Sequence, residues 1–201
     1  MAKKTWMTRA TGVLLPVSSL PSKYGVGTFG QAAREWVDFL ARAKQRYWQV
    51  LPLGPTSFGD SPYQSYSAFA GNPLFIDLQE LCNAGLLKKG RCKRTPWGED
   101  PSYVDYDTVR AGREQLLRRA FSHFKHFRVL ERFRKRNKFW VEDYALYMAL
   151  KEKMNGRPWP EWEEGLRLRD PETLEVWKKR CKEEVDYHVF TQYLFFQQWS
   201  D

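Results

Sequence analysis

The 201-residue sequence has few of the residues that build disulfide scaffolds and metal sites. It contains three cysteines and three histidines. Three is an odd number, and Cys82, Cys92 and Cys181 form no CxxC pair, which argues against a disulfide framework and against a zinc site. No apolar run approaches the ~20 residues of a membrane span, and the apolar stretch 12–17 is too short for a signal peptide. We therefore expect a soluble, cytoplasmic protein without a membrane partner.

Aromatic residues, by contrast, are abundant. The chain has nine Trp, ten Tyr and thirteen Phe, whereas its 42% hydrophobic and 28% charged residues are typical of a globular protein and exclude a disordered one. Surplus rings are suited to flat ligands such as sugars or bases, but they also fill the contacts between helices. Composition alone leaves both interpretations open.

The net charge of +9 is concentrated in part of the chain. Residues 88–94 contain five basic groups and no acidic one, and residues 113–138 contain ten basic and two acidic groups. The second run is interleaved with phenylalanines, as in a nucleic-acid-binding face. We favour a helix with one solvent-exposed face, in which the rings lie on the buried face and the charges on the exposed face. A basic, nucleic-acid-binding helical protein remains the alternative.

The N-terminal third predicts a βαβ unit. Residues 11–17 and 48–53 are typical of buried strands, and the helix between them is predicted to begin at Thr28, which forms a capping-box pattern with Gln31. A right-handed crossover makes the two strands parallel. Parallel sheets are buried on both faces and contain more strands than two, so we expect the sheet to be incomplete in this chain.

The remainder of the chain predicts mainly helices. A turn-rich loop over 56–73 is long enough to be functional, and a short strand at 74–78 is expected to run into a helix ending near residue 87. Helical spacing then predicts one amphipathic helix over 109–127, another from Val141, and a long helix over 172–199 with His188 on its inner side.

Two sequence motifs have alternative interpretations. Residues 25–30 satisfy G-x-G-x-x-G, but no acidic residue between Asp38 and Asp60 is available to bind a ribose, so we reject a dinucleotide site. We expect these glycines instead to aim the N-terminus of the first helix at the functional site. His123 and His126 have a spacing that suits a metal, yet they lack an acidic or cysteine partner nearby, and we predict no metal site.

The loop from Phe58 to Tyr66 is the main candidate site. It follows a predicted strand at the end where α/β folds place ligands. Asp60, Ser61 and Gln64 offer donors and acceptors for hydroxyl groups, and Tyr63 offers a ring face. The alternative is an Asx-type turn at Asp60 with the tyrosines packed inward.

Several segments resemble one enzyme family. They are residues 11–22 (TGVLLPVSSLPS), 24–30, 48–56, 60–73 (DSPYQSYSAFAGNP), 140–147 and 190–199. In these segments the chain is similar to the N-terminal part of amylomaltase, also called 4-α-glucanotransferase or disproportionating enzyme. The segment around Ser61 to Pro73 makes the resemblance specific.

The resemblance implies a (β/α)₈ TIM barrel with a large helical insertion after the second strand. On that basis we predict a first βαβ part with the substrate loop at 1–80, a mainly helical insertion at 81–170, and a returning helix at 171–201, after which the chain ends before the third strand. The implied reaction transfers α-1,4-glucan segments between maltooligosaccharides with retention of configuration, through an Asp nucleophile and a Glu acid/base. No cofactor and no nucleic-acid partner are implied, and the oligomeric state is left open.

No segment of this chain matches the family's catalytic motifs, so no catalytic residue is carried over. A role for Asp60 and Asp77 as a substitute pair is disfavoured, because nothing in the sequence indicates that they converge. The family positions that line the glucan groove correspond to Ser61 and Tyr63, with Asp60 and Gln64 behind them. Phe58 stands where some relatives have a Tyr at an outer glucan-binding site. The predicted ligands are α-1,4-glucans, the chain alone is expected to be inactive, and a non-catalytic glucan-binding role is the second alternative.

Overall fold

A computed structural model describes residues 9–100 and 102–201 of the chain. Strands β1 (Gly12–Leu14) and β2 (Tyr47–Gln49) are parallel, with Val13 opposite Trp48. Helix α1 (Gln31–Arg42) connects them. The indole N–H of Trp48 donates to the carbonyl of Leu15 over 2.8 Å and extends the strand contact. The predicted parallel βαβ unit is confirmed, with strands shorter than expected.

The N-cap of helix α1 lies two residues later than the capping box predicts. Gly30 is its N-cap, and the side chain of Thr28 caps nothing in the helix. The Thr28 hydroxyl instead donates to Asp77 Oδ2 over 2.6 Å, in a buried contact between segments 49 residues apart. The local pattern for capping is present, but a distant carboxylate takes the hydroxyl, so the predicted start was wrong.

The rest of the described chain is helical. Its helices are α2 (Leu78–Asn83), α3 (Lys89–Arg94), α4 (Tyr106–His123), α5 (Phe127–Arg136), α6 (Val141–Lys153), α7 (Glu164–Arg167), α8 (Pro171–Arg180) and α9 (Lys182–Ser200). Short 3₁₀ turns lie between them, including Pro73–Phe75 before α2. None of the helices described is long and apolar enough to cross a membrane.

Several predicted elements differ from the structure, and among them the helix expected to end near residue 87 ends at Asn83. The expected strand at 74–78 is a 3₁₀ turn capped by the Asn72 side chain, after which Asp77 caps α2. The helix predicted over 109–127 ends at His123, because Phe124 adopts an extended backbone and the chain turns into α5. The helix predicted over 172–199 is interrupted at Cys181, so that α8 and α9 are separate. Side-chain caps and backbone breaks override the local sequence pattern in these cases.

Helix α9 is the centre of the helical part. It packs against α4, α5, α6 and α8 and against the 3₁₀ turn at Pro73–Phe75. Its buried side chains include Val189, Phe190 and Leu194. Most apolar residues of the core belong to one connected cluster, and through Ala70 and Phe75 this cluster includes the end of the segment between β2 and α2.

Two buried glutamines attach α9 to the loop that precedes α2. The Gln192 side-chain amide donates to the carbonyl of Gly71 over 2.9 Å and accepts from its N–H over 2.8 Å. Gln198 forms the same pair of contacts with the backbone of Asp77, at 2.6 and 3.3 Å. Each side-chain amide satisfies backbone groups that a neighbouring strand would satisfy in a sheet. Segment 71–77 is therefore fixed to α9 although it belongs to no sheet.

Most aromatic rings are used in the contacts between helices. Phe124 of the α4–α5 turn packs on Phe190 of α9 with ring centroids 5.0 Å apart, and Trp140 packs on Phe196 at 5.8 Å. The large exposed rings include Tyr63 and Tyr103. The ring surplus therefore serves the core in part, and a set of exposed rings is left on the surface of the described residues.

The basic run at 113–138 is not simply a solvent-exposed helix face. Arg113 is 1% exposed, contrary to the expected separation of charges from packing. Arg118 pairs with Glu114 and Glu152, and Arg134 with Glu142 and Asp186. Because these guanidinium groups already have carboxylate or core partners, the run offers fewer free charges than its sequence indicates.

Candidate functional site

The loop after β2 forms a closed turn. The N–H of Ser57 donates to the carbonyl of Gln64 over 3.1 Å, and an antiparallel bridge pairs Thr56 with Ser65. Gly59 and Asp60 both have positive φ, 77° and 54°, which turns the chain sharply between these ends. Glycine adopts that conformation without a steric cost, and Asp tolerates it better than most residues. The turn-rich sequence thus produces a compact loop.

The loop divides the predicted residues between two surfaces. Asp60 points inward and pairs with Arg110 of α4. Ser61 is half-buried, and its Oγ accepts from the N–H of Tyr63 over 3.3 Å. Gln64 is exposed, and Tyr63 is 74% exposed, so the alternative in which Tyr63 packs inward is wrong. Phe58 lies in the turn, but its side chain is outside the described part of the structure.

Asp60 lies at the carboxyl ends of the two strands. A small pocket of about 90 Å³ there is lined by segments that follow β1 and β2 and by Asp60, Asn72 and Tyr106. This is the edge of a parallel sheet at which α/β folds bind ligands. The predicted location of the loop at that edge agrees with this pocket.

A larger cavity of about 860 Å³ lies between the loop, α4, α6 and α9, and Asp60 lines it as well. Buried polar and aromatic residues of its wall include Asn72, Arg113, Tyr144, Tyr187, His188 and Thr191. Its remaining polar lining includes Asp107, Arg110, Glu114, Lys151 and Glu152. Aromatic side chains together with convergent polar groups are typical of a small-molecule binding site.

Glu152, in the wall of this cavity, has two close polar partners. Arg118 contacts Glu152 Oε2 at 2.6 Å, and His188 Nε2 lies 2.8 Å from the other oxygen of the same carboxylate. Burial pushes the pKa of Glu152 upward, but the contacts with His188 and Arg118 outweigh it and hold the pKa below its usual value. Glu152 is therefore an ionised, paired carboxylate at neutral pH.

Arg113 is a buried residue of the cavity wall. Its guanidinium donates to the carbonyl of Ile76 over 2.7 Å and to that of Tyr24 over 3.3 Å, and it lies 5.8 Å from the Trp97 ring. Burial lowers its pKa to about 10, so the group stays charged at neutral pH. It ties α4 to the loops that follow the strands.

The glycine motif does not aim a helix at a ligand. A Cβ added to Gly30 would lie 2.1 Å from Asp77 Oδ2, so this carboxylate already occupies the N-terminus of α1. Asp77 also accepts from Thr28 and from the N–H of Glu80, which caps α2. The expectation that α1 points at the site was therefore wrong, and Asp77 has a structural role apart from Asp60.

The histidines do not form a metal centre in the part of the chain that the structure describes. His123 Nδ1 lies 3.2 Å from the carbonyl of Leu86. Across residues 9–100 and 102–201, no group of three His, Cys, Asp or Glu side chains is arranged to hold a metal ion. His188 is buried, as its position on the inner side of α9 predicts.

Sequence reasoning missed most of the larger cavity. Tyr144 of α6, Glu152 of α6 and His188 of α9 reach the same wall from helices that the sequence presents only as core elements. The one sequence feature that could have indicated the cavity is the presence of polar residues, such as His188 and Gln192, on helix faces that are otherwise apolar. Their convergence depends on how α6 packs against α9.

Comparisons with known proteins agree on one family. A family model described as 4-alpha-glucanotransferase matches residues 15–201. The 4-alpha-glucanotransferase of Streptococcus pneumoniae is 48% identical over 197 residues, covering 95% of this chain and 39% of that protein. The Thermus thermophilus enzyme of the same name is 47% identical, covering 96% and 39%.

A solved structure gives the same result for the fold. The amylomaltase from Streptococcus agalactiae, determined in complex with acarbose, superposes with a TM-score of 0.90 at 40% identity and covers 96% of this chain and 40% of that one. The chain thus spans about two fifths of the length of the relatives it matches. Because the family model matches nearly the whole sequence, the chain belongs to the 4-alpha-glucanotransferase family.

Proposed function

We propose that the protein acts in the transfer of α-1,4-glucan segments between maltooligosaccharides, with retention of configuration. In this proposal the chain supplies a glucan-binding part of the transferase. The observation that carries the proposal is the loop after β2: it projects Tyr63 into solvent and places Asp60 at the strand ends, in a chain of this family. The complex of the related amylomaltase with acarbose supports a sugar ligand.

The proposed architecture is the first part of a (β/α)₈ barrel. Residues 1–80 hold β1, α1, β2 and the substrate loop, residues 81–170 form a helical insertion, and residues 171–201 return to the barrel. The parallel pairing of β1 with β2 and the packing of α9 on Pro73–Phe75 support this division. The cytoplasm is the proposed location, because Cys82, Cys92 and Cys181 are free thiols that suit a reducing compartment.

Ser61 and Tyr63 are the proposed glucan contacts nearest the cleavage point. Tyr63 exposes one ring face and its hydroxyl, and apolar sugar faces stack on such rings. Asp60 and Gln64 support them, with Asp60 oriented by Arg110. Phe58 is proposed at an outer position, where a ring provides stacking without a hydroxyl.

The chain alone is proposed to lack turnover. A retaining mechanism needs two carboxyl groups about 5 to 5.5 Å apart, one of them protonated with a raised pKa. Among the described residues that line the pocket at the strand ends, Asp60 is the one carboxylate, and it is paired with Arg110. In the larger cavity Glu152 has a lowered pKa, which is the opposite of what a general acid requires.

Affinity electrophoresis in an amylose gel tests the proposal. We expect the chain to be retarded relative to a gel without amylose, and unretarded migration would contradict glucan binding. Incubation with maltotriose tests the second part: we expect no glucose and no longer maltodextrins, and clear turnover would refute the absence of catalytic carboxylates. Retardation without turnover is also what the non-catalytic glucan-binding alternative predicts. To separate this alternative from a role in glucan transfer, the chain is assayed for turnover as part of a longer transferase.

A further inference from the structure

Two of the three thiols of the chain face one another across neighbouring helices. Cys82 of α2 and Cys92 of α3 have their Sγ atoms 3.8 Å apart. The third thiol, Cys181, lies at the junction of α8 and α9, where its charged neighbours are Glu184 and Lys153. The sequence gives no sign of this pairing, because the nine-residue spacer matches no redox or metal motif.

We propose that Cys82 and Cys92 are a site of reversible oxidative modification, at which a low-molecular-weight disulfide such as oxidised glutathione converts the two thiols into an intramolecular disulfide. This inference is independent of the glucan-binding role. It rests on the distance between the sulfurs and the difference in their exposure.

The geometry requires only a short movement. A disulfide brings two sulfurs to about 2.05 Å, so the gap of 3.8 Å closes by rotation of the side chains with a small approach of the helices. Both helices are six residues long. The connecting segment contains Gly85, which has φ of +75° and no atom within 4 Å of an added Cβ.

The two thiols have different access to solvent. Cys82 is partly exposed, whereas Cys92 is fully buried. Burial and the adjacent Cys82 together raise the pKa of Cys92 to about 12, which keeps it as a thiol in the reduced protein. An oxidant therefore reaches Cys82 first, and Cys92 acts second.

The reaction balances as two exchange steps. The Cys82 thiolate attacks one sulfur of oxidised glutathione, forming a mixed disulfide and releasing one glutathione thiolate, which takes up the proton that Cys82 lost. In this mixed disulfide Cys82 no longer carries a charge, so its contribution to the raised pKa of Cys92 disappears. The Cys92 thiolate then attacks Cys82 Sγ and displaces the second glutathione, which receives the Cys92 proton. Two protein thiols are oxidised, and one glutathione disulfide is reduced to two thiols.

Mass spectrometry of the chain oxidised under native conditions tests this proposal. We expect the mass to fall by two hydrogen atoms, with Cys181 still a free thiol. Trypsin cleaves after Lys88, Lys89 and Arg91, so the peptides that carry Cys82 and Cys92 separate unless they are linked. Their recovery as one reducible pair is the expected result.

Three variants make the test specific. Cys181→Ser should oxidise as the unmodified chain does, and Cys82→Ser should lose both the disulfide and the glutathione adduct. Cys92→Ala, which keeps an apolar side chain in the core, should accumulate the adduct at Cys82, whereas that adduct should be a minor product in the unmodified chain. Three persistent thiols, a stable adduct at Cys82 of the unmodified chain, or a link to Cys181 would each overturn the proposal.

Discussion

The Gln192 contact with Gly71 allows a stability prediction whose size follows from the structure. Gln192 is 0% exposed, and its amide satisfies both the N–H and the carbonyl of Gly71, which is itself buried. Substitution Gln192→Ala leaves these two backbone groups without their partner. Each unsatisfied buried group costs about 1–3 kcal/mol, so the expected loss of unfolding free energy is about 2–6 kcal/mol.

Urea unfolding measures this loss directly. For a slope of about 2 kcal/mol per M, the midpoint should fall by about 1–3 M. Gln197→Ala is the matched control, because Gln197 is exposed on the same helix, and its effect should stay within about 0.5 kcal/mol. Gln198→Ala should fall between the two, since Gln198 makes the same kind of contact with Asp77 but is 9% exposed.

The order Gln192, Gln198, Gln197 is the diagnostic result. If Gln192→Ala destabilised the chain no more than Gln197→Ala, the amide contacts would not hold segment 71–77 to α9. The position of the loop after β2 would then require another explanation, because that segment connects the loop to the helical core.

Three further predictions concern the same core. An alanine at Gly71 would place a Cβ 2.2 Å from the Phe195 ring, so Gly71→Ala should lower the unfolding free energy by about 1–3 kcal/mol, measured by thermal or urea unfolding. Gly90→Ala is the control, because there is open space around Gly90, and it should be neutral or stabilising. Equal effects of the two substitutions would contradict the packing of Gly71 against Phe195. Thr28→Val should lower the unfolding free energy by about 1–3 kcal/mol through the lost bond to Asp77, and an unchanged midpoint would refute that role. The pKa of Glu152 is lower in the folded than in the unfolded chain, so its contribution to stability is present above about pH 4.3 and is lost as the pH falls further, through the folded pKa. The stability difference between the unmodified chain and Glu152→Gln should therefore shrink as the pH falls from about 5 to about 3, and a difference that does not vary over this range would contradict the pairing.

Local patterns predicted the elements whose determinants are local. The βαβ unit and the helix from Val141 follow from apolar spacing and turn residues, and the structure contains both. Thr28 illustrates the limit: its capping-box pattern is genuine, but the buried Asp77 carboxylate is a stronger partner for the hydroxyl than a helix N–H. The break at Cys181 shows the same limit, because periodicity continues through it while the backbone does not.

The candidate site was predictable in part for the same reason. Asp60 could be placed because a loop after a parallel strand lies at a known edge of the sheet. Tyr144 and His188 could not be placed, because they reach the larger cavity only through the packing of α6 against α9. A sequence indicates which residues face a core, but it does not indicate which faces meet.

Calorimetric titration of the chain with maltoheptaose tests the central claim most directly. Three proteins are compared: the unmodified chain, Tyr63→Ala, and Tyr47→Ala as a control that removes another exposed tyrosine, 63% exposed on β2. We predict binding by the unmodified chain and by Tyr47→Ala, and an affinity lowered by about two- to thirteenfold in Tyr63→Ala, which corresponds to about 0.5–1.5 kcal/mol for an aromatic contact. Equal affinity of Tyr63→Ala and the unmodified chain, or no binding by the unmodified chain, would contradict the proposed glucan-binding loop.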